Sequence, residues 1–218
     1  MTANLYEKNP EAIYRQSFDT IVEEAALDRF SPGERDVAIR VIHACGMVDA
    51  AEQLVFSSEA VSIGRQALQN GAPILCDVEM VRSGIIRRLL PAENEVICTL
   101  DEAGVANHAK SIGNTRSAAA VDFWDAHLDG AVVVVGNAPT ALFYLLEKLE
   151  HSVSKPTLIL GFPVGFVGAA ESKQALIENA LNVPFIALRG RRGGSAIAAA
   201  ALNALAAGLK SATGQDVT

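Results

Sequence analysis

The stretch RVIHACGM, residues 40–47, sets His43 inside an apolar run with helical spacing. Imidazole is the side chain best suited to both giving and taking a proton in neutral water, so His43 is a candidate general acid or base. On a helix, residues 36, 40, 43 and 47 share one face. These are Asp36, Arg40, His43 and Met47, and a neighbouring stripe of Val37, Val41, Ala44 and Val48 would pack the core. Arg40 lies one turn before the histidine and can hold an acidic group of a ligand beside the ring. The pattern leaves two readings open: a structural or surface histidine, or the proton carrier of a site.

Three further stretches could receive an anion. GNAPT (136–140), GFPVGFVGAAESK (161–173) and RGRRGGS (189–195) each follow an apolar run and lead into a helical one. Glycines let backbone N–H groups approach a ligand, and a helix N-terminus favours negative charge. The candidates are Gly136, Asn137 and Thr140 in the first loop, Gly161, Gly165 and Gly168 in the second, and Arg189, Arg191, Arg192 and Ser195 in the third. Pro139 fits a first helical position and Ser195 an N-cap. None of the loops is a G-K-[ST] phosphate loop or a G-x-G-x-x-G fingerprint.

Other chemistries find less support. His108 lies in the polar stretch NHAKSIGNTRS and can touch a site; His127 reads as surface, and His151 as a cation at a helix end. His43 and Cys45 point to different sides of a helix, and no spacing is a metal signature. No serine sits in a G-x-S-x-G elbow. A net charge of −7 argues against a nucleic-acid binder. Arg outnumbers Lys, which suits recognition of carboxylates or phosphates. Cys45, Cys76 and Cys98 form no C-x-x-C pair and read as reduced, buried and inert thiols of a cytoplasmic protein. The first residues, MTANLYEKNP, contain no apolar core of a signal peptide, and no stretch has the length and flanks of a membrane helix.

The elements that must position these groups follow from periodicity. Residues 10–71 read as N-terminal helices: one from 10 to 27, one from 32 to about 51 opened by Ser31, Pro32 and Glu34, and one from 57 to 71. Beyond 72 the pattern changes to five short apolar runs at 72–77, 95–100, 131–136, 157–162 and 184–190. Between and after them lie helical stretches at 78–90, 101–127 with a break near Gly113, 138–150, 171–181 and 195–209. The alternation predicts an α/β fold: a mostly parallel central sheet of about five strands with helices on both faces, in one domain. The strand–helix core would end near 209 and a frayed tail would occupy 210–218.

Taken together, NPEAIYRQSF, VIHACGM, GNAPTAL, GFPVGFVGAAESK and RGRRGGS resemble the precorrin-8X methylmutase family of cobalamin biosynthesis, in order and over nearly the whole chain. The resemblance implies an isomerase that moves a methyl group from C-11 to C-12 of precorrin-8X, giving hydrogenobyrinate. The cobalt-bearing counterpart would be cobalt-precorrin-8, giving cobyrinate. It further implies no cofactor, a polycarboxylate tetrapyrrole substrate, and a homodimer with sites at the subunit interface. The family's proton donor falls on His43, and its substrate contacts fall on Ser17 and Arg40. A substrate with many carboxylates accounts for arginine on an acidic protein, with Arg40, Arg116 and the 189–192 cluster as candidates. Two rival readings are a nucleotide-dependent α/β enzyme and a non-catalytic tetrapyrrole carrier.

Overall fold

The computed structural model describes residues 6–212, with side chains through Gly208. Helix α1 (Pro10–Glu24) begins at Asn9, whose side-chain oxygen accepts from the N–H groups of Glu11 and Ala12 at 2.9 and 3.2 Å. Pro10 takes the first helical position, where a missing N–H is harmless. Only Ile21 of α1 is buried, so this helix lies on the body of the protein rather than in it.

Helix α2 (Pro32–Cys45) opens as its capping signal predicts, with the Glu34 carboxylate accepting the Ser31 N–H at 2.9 Å. It closes earlier than expected. Gly46 adopts φ 67 and returns its N–H to the Ile42 carbonyl at 2.7 Å, a left-handed cap that stops the helix six residues short of 51. Met47 is therefore off the helix, and the polar face ends at His43. The buried stripe is Val37, Ala38, Val41 and Ile42; Ala44 is exposed and Val48 half-buried.

A short turn, α3 (Ala50–Gln53), leads into strand β1 (Leu54–Phe56), and α4 (Ala60–Gln69) follows. The sequence reading placed only helices before residue 72. Three strand residues are too few to express a period of two, and β1 gains its identity from its partner. The five expected strands are β2 (Ile74–Cys76), β3 (Val96–Cys98), β4 (Val132–Val135), β5 (Leu158–Gly161) and β6 (Phe185–Leu188). The sheet has six strands in the order β1-β6-β5-β4-β2-β3; β1 is antiparallel to β6 and every other pair is parallel.

The connections are α5 (Glu79–Gly84) with a 3₁₀ turn at Arg87–Leu89, then α6 (Val105–Ser111) and α7 (Arg116–Val121), separated at Gly113. Helices α8 (Pro139–His151), α9 (Ala169–Glu178) and α10 (Ser195–Ala212) complete the chain. Residues 213–218 of the expected tail lie outside the described residues. Strand residues alternate between two cores. Ile74, Val132, Val134, Leu158 and Ile186 face α2, α4 and α10, while Leu75, Val133, Val135 and Ile159 face α7, α8 and α9. Both faces of the sheet are thus covered by helices.

The helix expected at 78–90 is broken by a distant side chain. Asn203 of α10 is buried, and its amide accepts from the Ile86 N–H and donates to the Gly84 carbonyl, each at 2.9 Å. This holds the segment that carries Ile86, Arg88 and Leu89. Replacing Asn203 by Leu removes the partner of one part-buried donor, the Ile86 N–H, and one part-buried acceptor, the Gly84 carbonyl. The variant should lose about 2–4 kcal/mol of unfolding free energy in a urea titration; an unchanged midpoint would show that the segment is held by packing alone.

Candidate active site

In doubly wound sheets, ligands bind where neighbouring strands leave in opposite directions. Here that point lies between β2 and β4, because β3 is added on one side of β2 and β4, β5 and β6 on the other. The place is already filled. Asp77, just after β2, is 2% exposed, and its carboxylate accepts the N–H groups of Gly136, Asn137 and Ala138 at 2.9, 2.9 and 2.8 Å. Burial pushes the Asp77 carboxyl above its ordinary range, and the three amides oppose that rise.

The strand-end loops consequently differ from their expected use. The Gly136 and Asn137 amides serve Asp77, not a ligand. A Cβ at Gly136 would lie 2.6 Å from the Val81 side chain, and one at Gly161 would lie 2.5 Å from that of Leu176, so these two glycines permit close packing. Thr140 shares a 2.8 Å hydrogen bond with Thr115. The Gly165 N–H donates to the Arg191 carbonyl, and the Gly168 carbonyl accepts from Ser172 as α9 begins. Ser195 is the first residue of α10 rather than its cap, and its hydroxyl is buried without a partner.

The candidate arginines outside α2 are engaged within the chain. Arg116 donates to the Leu100 carbonyl and to Asp101, Arg189 to Gln174, and Arg192 to Asp49; Arg191 stacks over Phe166 at 5.4 Å. His108 pairs with Asp122 at 2.6 Å, away from His43. Cys76 and Cys98 are register partners on β2 and β3; Cys76 is buried, while Cys45 and Cys98 are half-buried rather than enclosed.

His43 stands in a different setting. It is exposed, and its Nδ1 lies 2.8 Å from the Ser17 hydroxyl across the α1–α2 contact. The Tyr14 ring lies tilted beside it at 5.3 Å, and Phe18 meets it edge-on at 5.4 Å. Arg40 reaches over the Phe18 ring at 5.7 Å. Tyr14, Phe18 and Arg40 also line a groove of about 1160 Å³. Its apolar floor adds Ile86 and Leu89, and Lys8, Arg15 and Arg88 add positive charge that outweighs the carboxylates of Glu7 and Glu11. His43, Ser17 and Thr20 line an adjoining hollow of about 400 Å³. The sequence reading missed Tyr14, Arg15, Phe18 and Arg88. The first three stand in YRQSF, where Tyr14, Ser17, Phe18 and Ile21 recur at helical spacing.

Ser17 suits an acid–base cycle. A hydroxyl both donates and accepts, so it can hold Nδ1 in the neutral and in the protonated ring. Nε2 is then the nitrogen left to exchange a proton with a ligand. Among the described residues no three His, Cys, Asp or Glu side chains converge to hold a metal, and no helix is long and apolar enough to cross a membrane.

A groove with aromatic residues and net positive charge, beside an oriented imidazole on an α/β scaffold, suits an enzyme that handles a large anionic ligand. The precorrin-8X methylmutase family matches residues 12–207. A protein of Pseudomonas aeruginosa named precorrin-8X methylmutase is 59% identical over 201 residues, 92% of this chain and 97% of that protein. A Salmonella typhimurium protein named cobalt-precorrin-8 methylmutase is 42% identical over 207 residues, 92% of this chain and 96% of that protein. The crystal structure of a precorrin-8X methylmutase from Thermus thermophilus superposes with a TM-score of 0.83 at 40% identity, covering 95% of this chain and all of that one. The chain belongs to the precorrin-8X methylmutase family and is an isomerase, an intramolecular methyl mutase.

A second titratable cluster serves stability. Burial pushes the Asp122 carboxyl up, but hydrogen bonds from His108, Lys148 and Tyr144 outweigh that and hold it below its ordinary 3.8. A depressed acid binds fewer protons in the folded state, so its contribution is present above 3.8 and is lost as pH falls through the lowered value. Asp122→Asn should flatten the acid limb of a stability–pH curve measured by chemical denaturation; a limb of unchanged steepness would assign acid sensitivity to other carboxylates.

Proposed function

We propose that this chain converts precorrin-8X into hydrogenobyrinate, with His43 as the proton donor and the α1–α2 groove as the seat of the ring. The observation that carries this reading is the Ser17–His43 pair beside the Tyr14 and Phe18 rings. In the shift, the bond from the methyl carbon to C-11 breaks as the bond to C-12 forms, and no atom leaves the molecule. Protonating the conjugated ring from Nε2 draws electron density away and lowers the barrier of this [1,5]-sigmatropic step; the proton then returns. A positioned acid supplies roughly 10²–10⁴-fold, about 3–5 kcal/mol of barrier. Holding the ring on the α1 face beside Tyr14 and Phe18 supplies orientation. Arg15 and Arg40 face the peripheral carboxylates.

Identity favours the metal-free substrate. Two proteins named precorrin-8X methylmutase share 59% of their residues with this chain, and the Salmonella cobalt-precorrin-8 methylmutase shares 42%. We further propose a cytoplasmic homodimer. Tyr14, Ile13 and Val22 are large apolar residues left open on α1, and His43 is open with them, so a second subunit on this face would exclude water from the proton transfer.

The reading is tested by absorption time courses with precorrin-8X under anaerobic conditions and no added cofactor. His43→Ala should bind substrate yet convert it roughly 10²–10⁴-fold more slowly than wild type. Ser17→Ala should lose roughly tenfold in kcat with little change in KM, because only the orientation of the ring suffers. Equal rates for wild type and His43→Ala would remove His43 from the chemistry. Light scattering of the active enzyme should give twice the chain mass; a fully active monomer would contradict the interface site.

A further inference from the structure

Arg192 was expected to hold a substrate carboxylate, yet its guanidinium fork is already spent. It donates to both carboxylate oxygens of Asp49, one at 2.8 Å, and reaches the Met47 sulfur at 3.6 Å. The pairing is mutual, with Asp49 held below and Arg192 above their ordinary pKa values. Asp49 and Met47 belong to the segment that leaves α2 at Gly46, three residues beyond His43.

The backbone of Arg192 is fixed from the other side. Its carbonyl accepts from the Lys173 ammonium on α9. Lys173 is fully buried, no carboxylate among the described residues pairs with it, and burial lowers its pKa to about 8. A Cβ at Gly193 would lie 2.2 and 2.4 Å from the carbonyl oxygens of Phe162 and Pro163, so the loop lies directly against that backbone. The Gly194 N–H donates to the Phe162 carbonyl at 2.8 Å. The loop is thus held at its root, and the Arg192 side chain reaches out from it to Asp49.

We infer that Lys173, Arg192 and Asp49 form a clamp from α9 to the exit of α2, and that Arg192 is a positioning residue that sets where His43 stands rather than a carboxylate ligand. The inference rests on the proposed role of His43 as the acid. Asp49 holds the terminal edge of the Arg192 guanidinium, so a substrate carboxylate would have to displace it or make do with the remaining N–H donors. An acid moved by a fraction of an ångström loses rate while substrate binding, carried by the groove, persists.

The test is a charge-exchange cycle: Asp49→Arg, Arg192→Asp and the double variant, each assayed for kcat and KM on precorrin-8X. The His43 imidazole is followed by ¹H–¹⁵N NMR in the substrate-free enzyme. Each single variant should lose about tenfold in kcat with KM within about twofold, and should move the His43 resonances. The double variant should recover both. If Arg192 binds substrate directly, Arg192→Asp raises KM, leaves the resonances in place, and is not rescued; that result overturns the clamp. So do wild-type kcat and resonances in both single variants. Lys173→Met removes the buried ammonium and should melt no lower than wild type, while losing kcat; a folded Lys173→Met with wild-type kcat also overturns the inference. The NMR arm stands apart from the chemistry, because an inactive clamp variant with moved resonances and an active His43→Ala enzyme would fault the acid and not the clamp.

Discussion

A carboxylate buried at the end of β2 meets three backbone amides at the end of β4, and much of the molecule is arranged around that contact. Without Asp77 the amides of Gly136, Asn137 and Ala138 would be orphaned at the sheet's switch point, where a doubly wound fold ordinarily receives a phosphate. With Asp77 in place the protein supplies its own anion. The nucleotide reading loses its natural seat, and the face built by α1 and α2 is the place proposed for the chemistry. Burying an ionisable group is expensive, and three short amide bonds are what make it tolerable.

The α1–α2 face then depends on how α2 is supported. Helix α10, rich in alanine, lies close along α2, and the same helix uses Asn203 to shape the segment that walls the groove. Small side chains allow the approach, and one polar side chain among them places Ile86 and Leu89 opposite Tyr14 and Phe18. On the opposite side α1 contributes few buried residues and keeps its aromatic rings for His43 and for a ligand. Catalytic groups held on helices and oriented by a neighbouring hydroxyl stand more firmly than groups on loops.

Much of this was legible in the residues. The five parallel strands were visible because both their faces are buried, which leaves unbroken apolar runs such as VVVV at 132–135. Ser31, Pro32 and Glu34 announced α2, and His43 with Arg40 announced its polar face. Strand β1 was hidden because three residues carry no period, and the early end of α2 was hidden because Gly46 can sit inside a helix as well as cap one. The strand-end loops were harder to read for a deeper reason. A glycine that lets a ligand approach and a glycine that lets Leu176 or a neighbouring carbonyl approach look identical in sequence. Likewise, a run of arginines does not disclose that Asp49, Gln174 and the Phe166 ring already occupy them. Those partners lie 15 to 143 residues away or across a loop, and only the fold brings them together.

The most direct test of where the chemistry happens is a crystal structure of the enzyme with hydrogenobyrinate bound. The account predicts the ring lying along Tyr14 and Phe18, its carboxylates toward Arg15 and Arg40, and the ring edge that carries the migrated methyl within reach of His43 Nε2. A ring seated instead on the loops at 161–168 and 189–195, with His43 facing solvent, would contradict it.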